Sequence, residues 1–225
     1  MRVQGLDDDI QGIIFDMDGL LVNSEKLYWD ANIQAAEEEN LGTPRDAYLK
    51  LTGATVKEMQ DFYHKYFKTE ADRDRFIKRT DDLVWQWTDE GKLKLQPGVQ
   101  EALDEFEKRG LKMAIASSNY ENVVQHAMWA TGIRNYFDFH LSYLDVQRGH
   151  IKAKPAPDIY LEAAKKTNLP KENILVFEDS STGVQAAANA GLKCAMVPDL
   201  KAPSVKDKQN ATMICQNFFE FLKKI

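Results

Sequence analysis

The stretch Ile13–Val22, "IIFDMDGLLV", decides how the rest of this 225-residue chain is read. An apolar run ends in two aspartates, Asp16 and Asp18, one residue apart. Side chains alternate along a strand, so a strand continued through them would point both carboxylates the same way. Like charges that close repel one another, and partial burial raises the cost. Some counter-charge must offset the repulsion.

Working outward, the chain from Gln96 onward alternates short apolar runs with helical patterns. "PGVQEALDEFEKRG" puts Val99, Ala102, Leu103 and Phe106 on one helical face, with Pro97 suited to its start and Gly110 to the position after its end. "LKMAIA" reads as a strand and is followed by a helix running to Gly132. "FHLSYL" reads as a strand, "PAPDIYLEAAKKTN" as a helix, "NILVF" as a strand, "STGVQAAANAG" as a helix closed by Gly191, and "KCAMV" as a strand. A short "ATMI" and the amphipathic "NFFEFLKKI" end the sequence. Together with "GIIF", the pattern predicts an α/β fold, a doubly wound parallel sheet of Rossmann-like type.

Residues 25 to 92 break the alternation and carry helix signals only. A helix over residues 25–40 is followed by a short one from Thr43-Pro44, and Thr55 with Glu58 and Thr69 with Asp72 have capping-box spacing. Trp85 and Trp87 cannot share a helical face. The expected organisation is core over 1–24, an inserted helical cap of four or so helices over 25–92, and core again over 93–225. The crossings lie around Asn23 to Lys26 and in "DEGKLKLQPG", whose Gly91 and Gly98 can absorb backbone rotation.

Open α/β sheets bind ligands outside the carboxyl ends of their strands. After "GIIF" come Asp16 and Asp18, after "MAIA" come Ser117, Ser118 and Asn119, past "HLSYL" comes Lys154, and after "ILVF" come Glu178 and Asp179. Taken singly, each has a plain structural reading as a turn, a helix cap or a solvated lysine. Their coincidence at successive strand ends points to a site. Hydroxyls and free N–H groups at a helix start suit an anion, the lysine adds a point charge, and the carboxylates suit a hard cation such as Mg2+. A phosphoryl group bridging metal, Lys154 and Ser117 accounts for the set, and a metal accounts for the paired aspartates.

Composition fits this reading. The chain is 44% hydrophobic and 28% charged, enough for a sizeable core. A net charge of −6 argues against a general nucleic-acid or membrane-surface binder. Two cysteines, Cys194 and Cys215, are too few for a disulfide framework. "MRVQGLDDDI" lacks the apolar run of a signal peptide, so the expected location is the cytoplasm. His64, His126, His140 and His150 show no metal-ligand spacing.

Along nearly its whole length the sequence resembles the haloacid dehalogenase-like hydrolase superfamily, and within it the β-phosphoglucomutase-like phosphatases. "DMDGLLVNSE", "IASSN", "KAKPAPDIY" and "FEDSSTGVQAAANAG" are similar to the four family motifs in order and interval. The resemblance implies that Asp16 is the nucleophile and Asp18 the general acid/base. It implies Ser117 and Lys154 as phosphate ligands, with Ser118 and Asn119 beside them. It further implies Mg2+ held by Asp16, the backbone carbonyl of Asp18, Asp179 and Glu178, and a cap that closes over the site. The reaction implied is hydrolysis of a small phosphomonoester, of the sugar-phosphate kind, through an aspartyl-phosphate. Tyr28, Gly53, Thr55 and Lys57 are the cap residues placed to meet substrate. The expected partner is a small phosphorylated metabolite, and the expected state a monomer.

Three alternatives share the fold. A dehalogenase is disfavoured by Asp18, which dehalogenases of the superfamily generally lack. A non-catalytic phosphate- or partner-binding protein would not need every matched residue. A sugar phosphomutase needs a clamp for a second anion, with basic residues in the cap turn and a histidine early in the first cap helix. Here the turn "LTGATVKEM" has only Lys57, and the helix position carries Tyr28.

Overall fold

The computed structural model describes every residue except Thr55 and His150, together with the side chain of Val56 left aside. The first apolar run becomes β1 (Gly12–Phe15), buried throughout, with Ile13 and Phe15 facing one core and Ile14 the other. Burial on both faces is why the run is continuous rather than alternating. Among the described residues the other strands are β2 (Lys112–Ala116), β3 (Phe139–Leu141), β4 (Ile174–Glu178), β5 (Lys193–Met196) and β6 (Met213–Ile214). They form one six-stranded sheet in the order β3-β2-β1-β4-β5-β6, and every pairing is parallel. β1 therefore lies in the middle, with β2 on one side and β4 on the other, at the point where the strand order reverses.

The helices are α1 (Ser24–Glu38), α2 (Val56–Tyr66), α3 (Glu70–Asp89), α4 (Val99–Lys108), α5 (Glu121–Ala130), α6 (Tyr143–Gly149), α7 (Asp158–Thr167), α8 (Ser181–Asn189), α9 (Val205–Asn210) and α10 (Phe218–Leu222). α4, α5 and α10 cover one sheet face, where Phe15, Phe106, Phe177, Phe218 and Phe221 pack ring to ring. α6, α7 and α8 cover the other. α4 shows the sequence logic: its apolar residues at i, i+3, i+4 and i+7 are all buried.

α1, α2 and α3 form the inserted cap around a core of its own, in which Tyr48 stacks on Phe76 at 5.8 Å between centroids. Among the described residues the insert holds four helical segments, the short one after Pro44 being a 3-10 helix over Arg45–Lys50. One expectation is corrected here. "FHLSYL" is a strand only to Leu141. Ser142 N–H then donates to Asp145 Oδ2 (2.9 Å), Leu144 N–H donates to Ser142 Oγ (3.2 Å), and α6 begins. The first cap helix starts at Ser24, and Thr69 caps α3 by accepting the Asp72 N–H at 3.1 Å. The Thr55–Glu58 box lies outside the described residues. Trp85 is 42% exposed, whereas Trp87 is half-buried between cap and sheet cores.

The two crossings between cap and core run side by side. Val22 bridges Leu95 antiparallel, Asn23 N–H donates to Lys94 O (3.0 Å), and Lys94 N–H donates to Asn23 Oδ1 (2.8 Å). Gly98 does not serve as a free pivot. Its φ of +83° starts α4, and a Cβ there would lie 2.7 Å from the Phe219 nitrogen. Gly91, at φ +73°, has only the tip of Lys94 within 4 Å.

Candidate active site

The ends of β1, β2 and β4 and the loop holding Lys154 meet under the cap, at the floor of a cavity of about 460 Å3. Asp16 follows β1 directly, and its N–H still pairs with Phe177 O at 3.0 Å, which fixes the backbone. The Lys154 ammonium is buried and donates to Asp16 Oδ1 (2.5 Å), Glu178 Oε1 (2.7 Å) and Ala116 O (2.9 Å). Those three bonds use its three protons. The Tyr160 hydroxyl, 2.9 Å from the same nitrogen, donates to Glu178 Oε1 at 2.6 Å. The lysine found in a loop of the sequence is thus a fixed counter-charge between two strand ends.

Glu178 is fully buried. Its other oxygen accepts Asp179 N–H (3.1 Å), Ser180 N–H (3.2 Å) and Ser180 Oγ (3.0 Å) at the start of α8. A carboxylate at a helix N-terminus meets unpaired N–H groups and a favourable dipole. Gly183 makes this possible, since a Cβ there would sit 1.7 Å from Glu178 Oε1. Gly19, at φ +77°, plays the same part for Asp179, whose Oδ2 would lie 2.4 Å from a Cβ.

Carboxylate oxygens of Asp16, Glu178 and Asp179 lie within 4.8 Å of one another, close enough to hold one metal ion. An all-oxygen donor set suits a hard cation such as Mg2+. Burial pushes the Asp16 carboxyl up to about 7, with Glu178 and Asp18 adding to the rise and Lys154 opposing it. Asp179 is pushed well above the carboxylate range by burial and then by Glu178 and Asp16. A divalent ion would relieve both. The Asp18 carboxylate does not join this trio. Its Oδ1 accepts Ser24 Oγ at 2.8 Å, and its Oδ2 accepts Asn119 Nδ2 at 3.3 Å and Ser117 Oγ at 3.4 Å. Any share of Asp18 in a metal site falls to its backbone carbonyl.

The other expected residues divide. Tyr28, Gly53, Ser118 and Asn119 line the cavity. Ser117 is fully buried beneath it, with its hydroxyl engaged by Asp18 and by Asn119 N–H at 3.0 Å. Ser117 to Asn119 do not cap α5, whose N-cap is Tyr120. Lys57 points away on α2 and pairs with Asp61 at 2.6 Å. Thr55 lies outside the described residues. Three residues were not singled out from the sequence: Glu25, Tyr160 and Asp81. Glu25 accepts the Gly53 N–H at 3.3 Å, and burial followed by the field of Asp18 lifts its carboxyl to about 7. Glu25 and Tyr160 lie inside the motif stretches "DMDGLLVNSE" and "KAKPAPDIY", which was the available signal.

The sequence profile of the haloacid dehalogenase-like hydrolase family matches residues 13–197. The chain is 30% identical over 184 residues to a phosphorylated carbohydrates phosphatase of Thermotoga maritima, covering 82% of this chain and 83% of that one. It superposes on the crystal structure of CbbY from Rhodobacter sphaeroides in complex with phosphate with a TM-score of 0.75, at 25% identity, over 94% of this chain and 96% of that one. A Thermotoga maritima structure provisionally assigned as a β-phosphoglucomutase gives a TM-score of 0.76, at 25% identity, over 95% and 97%.

Proposed function

The chain is a phosphoric monoester hydrolase of the haloacid dehalogenase-like family, and from that premise we propose that it hydrolyses a small, sugar-sized phosphomonoester through an aspartyl-phosphate on Asp16, with Mg2+ in the carboxylate trio. One observation carries this reading: at the cavity floor Asp16 is held by Lys154 through Oδ1, and its Oδ2 accepts no hydrogen bond among the described residues. That oxygen is the free nucleophile.

In the proposed first step the Asp16 oxygen bonds to phosphorus as the bond from phosphorus to the alcohol oxygen breaks. Protonated Asp18 gives its proton to the departing alcohol. In the second step the Asp18 carboxylate takes a proton from water, whose oxygen bonds to phosphorus as the Asp16 acyl phosphate bond breaks. Inorganic phosphate leaves and Asp16 is restored. Asn119 and Ser24 hold the Asp18 carboxylate in place for both transfers. Lys154 balances charge on the phosphoryl oxygens. Bound Mg2+ would supply Lewis-acid neutralisation of the phosphoryl oxygens, held by Asp16 and Asp179 with Glu178 beside them. Residues 1–24 and 93–225 carry the chemistry, and residues 25–92 select the substrate. We place this chemistry in the cytoplasm, in a monomer.

A hydrolase is favoured over a mutase because, among the described residues, the cavity lining holds no lysine or arginine besides Lys154. A second phosphate would find no cationic partner among them. The test is phosphate release from a panel of phosphorylated sugars with Mg2+. Chelation should stop turnover, and Asp16→Asn should abolish it in a folded protein. Turnover insensitive to chelator, or an Asp16→Asn variant keeping more than a few per cent of the rate, overturns the mechanism.

A further inference from the structure

The phosphoryl chemistry uses only the floor of the cavity. Above it the space runs up into the cap, between Tyr28 and Trp29 of α1, Tyr63 of α2 and Asp81 of α3. Aromatic side chains dominate this half, and one solvent-exposed carboxylate, Asp81, lines it with them. Asp81 makes no hydrogen bond or ion pair among the described residues, and the nearby Lys78 is taken up by Asp82 at 2.5 Å. Tyr28, Tyr63 and Asp81 line the same cavity, and both phenols are pushed up by burial and then by the field of Asp81. Among the described residues of the lining the single ammonium, that of Lys154, is spent on the floor.

A lone carboxylate between aromatic rings is a receptor for positive charge. The carboxylate supplies the counter-charge, and the ring faces attract a cation through their quadrupoles. An anion at the same place would meet repulsion from Asp81 and, among the described residues of the lining, no free cation. We propose that the leaving alcohol of the substrate carries an ammonium group, as in an amino sugar phosphomonoester, received by Asp81 between Tyr28 and Tyr63. A cavity of about 460 Å3 admits one sugar ring with its phosphate. This inference rests on the hydrolase reading of the same site and sharpens its substrate class.

The probes are glucosamine 6-phosphate, glucose 6-phosphate, N-acetylglucosamine 6-phosphate and 6-phosphogluconate, at pH 7 with Mg2+. The first carries an ammonium group, the next two are neutral at that end, and the last is anionic. The expected kcat/KM for glucosamine 6-phosphate exceeds that for glucose 6-phosphate by about tenfold or more, with 6-phosphogluconate last. Asp81→Asn should bring the amine-to-neutral ratio to within about twofold, and Asp81→Glu should retain part of it. Calorimetric binding of the same four esters to Asp16→Asn gives a readout that needs no turnover. An amine ester that is neither turned over faster nor bound more tightly than its neutral counterpart overturns the proposal, as does a preference that survives Asp81→Asn. No turnover of any ester by the wild type, with the binding preference intact, would sink the hydrolase reading and leave this one standing. Brisk turnover indifferent to the amine would do the reverse, and absence of both turnover and binding would sink both.

Discussion

Lys154 shows how much can rest on one side chain. Its ammonium is buried between Asp16 and Glu178, and their charges outweigh the burial that would otherwise discharge it. Lys154→Ala should therefore cost about 3–5 kcal/mol of stability in metal-free protein as well as nearly all turnover, because two buried carboxylates lose their partner. Denaturant unfolding checks this, and a midpoint equal to wild type would contradict the role given to the lysine. Glu25 predicts the opposite sign. A carboxyl whose folded pKa, about 7, stands above its ordinary 4.5 favours the folded state while protonated, and that contribution is lost as pH rises through 7. In chelator, Glu25→Gln and wild type should unfold alike near pH 4.5, whereas by pH 8 the variant should be the more stable, by up to about 3 kcal/mol. A constant gap across that range would contradict the shift. Asp16, Asp18 and Asp179 were legible because each follows a strand whose end can be read locally, and Lys154 because it stands in the loop before the helix of "KAKPAPDIY", past α6. Asp81 was not, since its place in the cavity lining with Tyr28 and Tyr63 depends on how three cap helices pack.

At the scale of elements, the cap turn is clasped by the core: Gly53 O accepts Thr182 Oγ1 at 3.1 Å, and Lys201 Nζ donates to Thr52 O, while Gly53 N–H donates to Glu25 within the cap. Each bond is worth about 1 kcal/mol, so Thr182→Val and Lys201→Ala should each raise KM by about fivefold with a smaller change in kcat. An unchanged KM in the double variant would show that the clasp does not govern binding. The sequence revealed β1, β2, β4, β5, α7 and α8 through apolar runs and glycine stops. It failed at α6, where "FHLSYL" looks continuous to a test of hydropathy alone. The cue that decides it, Ser142 three residues before Asp145, is a capping signature embedded in apolar surroundings. The short helix expected after Pro44 is present as a 3-10 helix over Arg45–Lys50, with Pro44 at its N-cap.

Across the whole molecule, cap and core are tied a second time, between α3 and α5. His126 Nε2 lies 2.8 Å from Asp89 Oδ1, and its ring stacks on Trp85 with centroids 4.0 Å apart. His126, which offered no ligand spacing in the sequence, is thus a strut between the two bodies. His126→Ala combined with Asp89→Asn should give a larger radius of gyration by small-angle scattering without ligand. Mg2+ with a phosphate analogue should restore the wild-type value. Identical scattering of variant and wild type in the free state would show that the strut carries no load.

The paired crossings have a consequence of a different kind. Because Val22 and Leu95 are bridged and Asn23 and Lys94 hydrogen-bond each other, the chain leaves and re-enters the core at neighbouring points. To the sheet, everything between is the tip of a β-hairpin, and a two-residue turn could close the same ladder. The cap is thereby a cassette. It can lengthen, shrink or be exchanged with that of a relative at one pair of splice points, without disturbing the register of any core strand. New substrates can be met by editing a contiguous stretch of gene while the nucleophile and its lysine stay where they are.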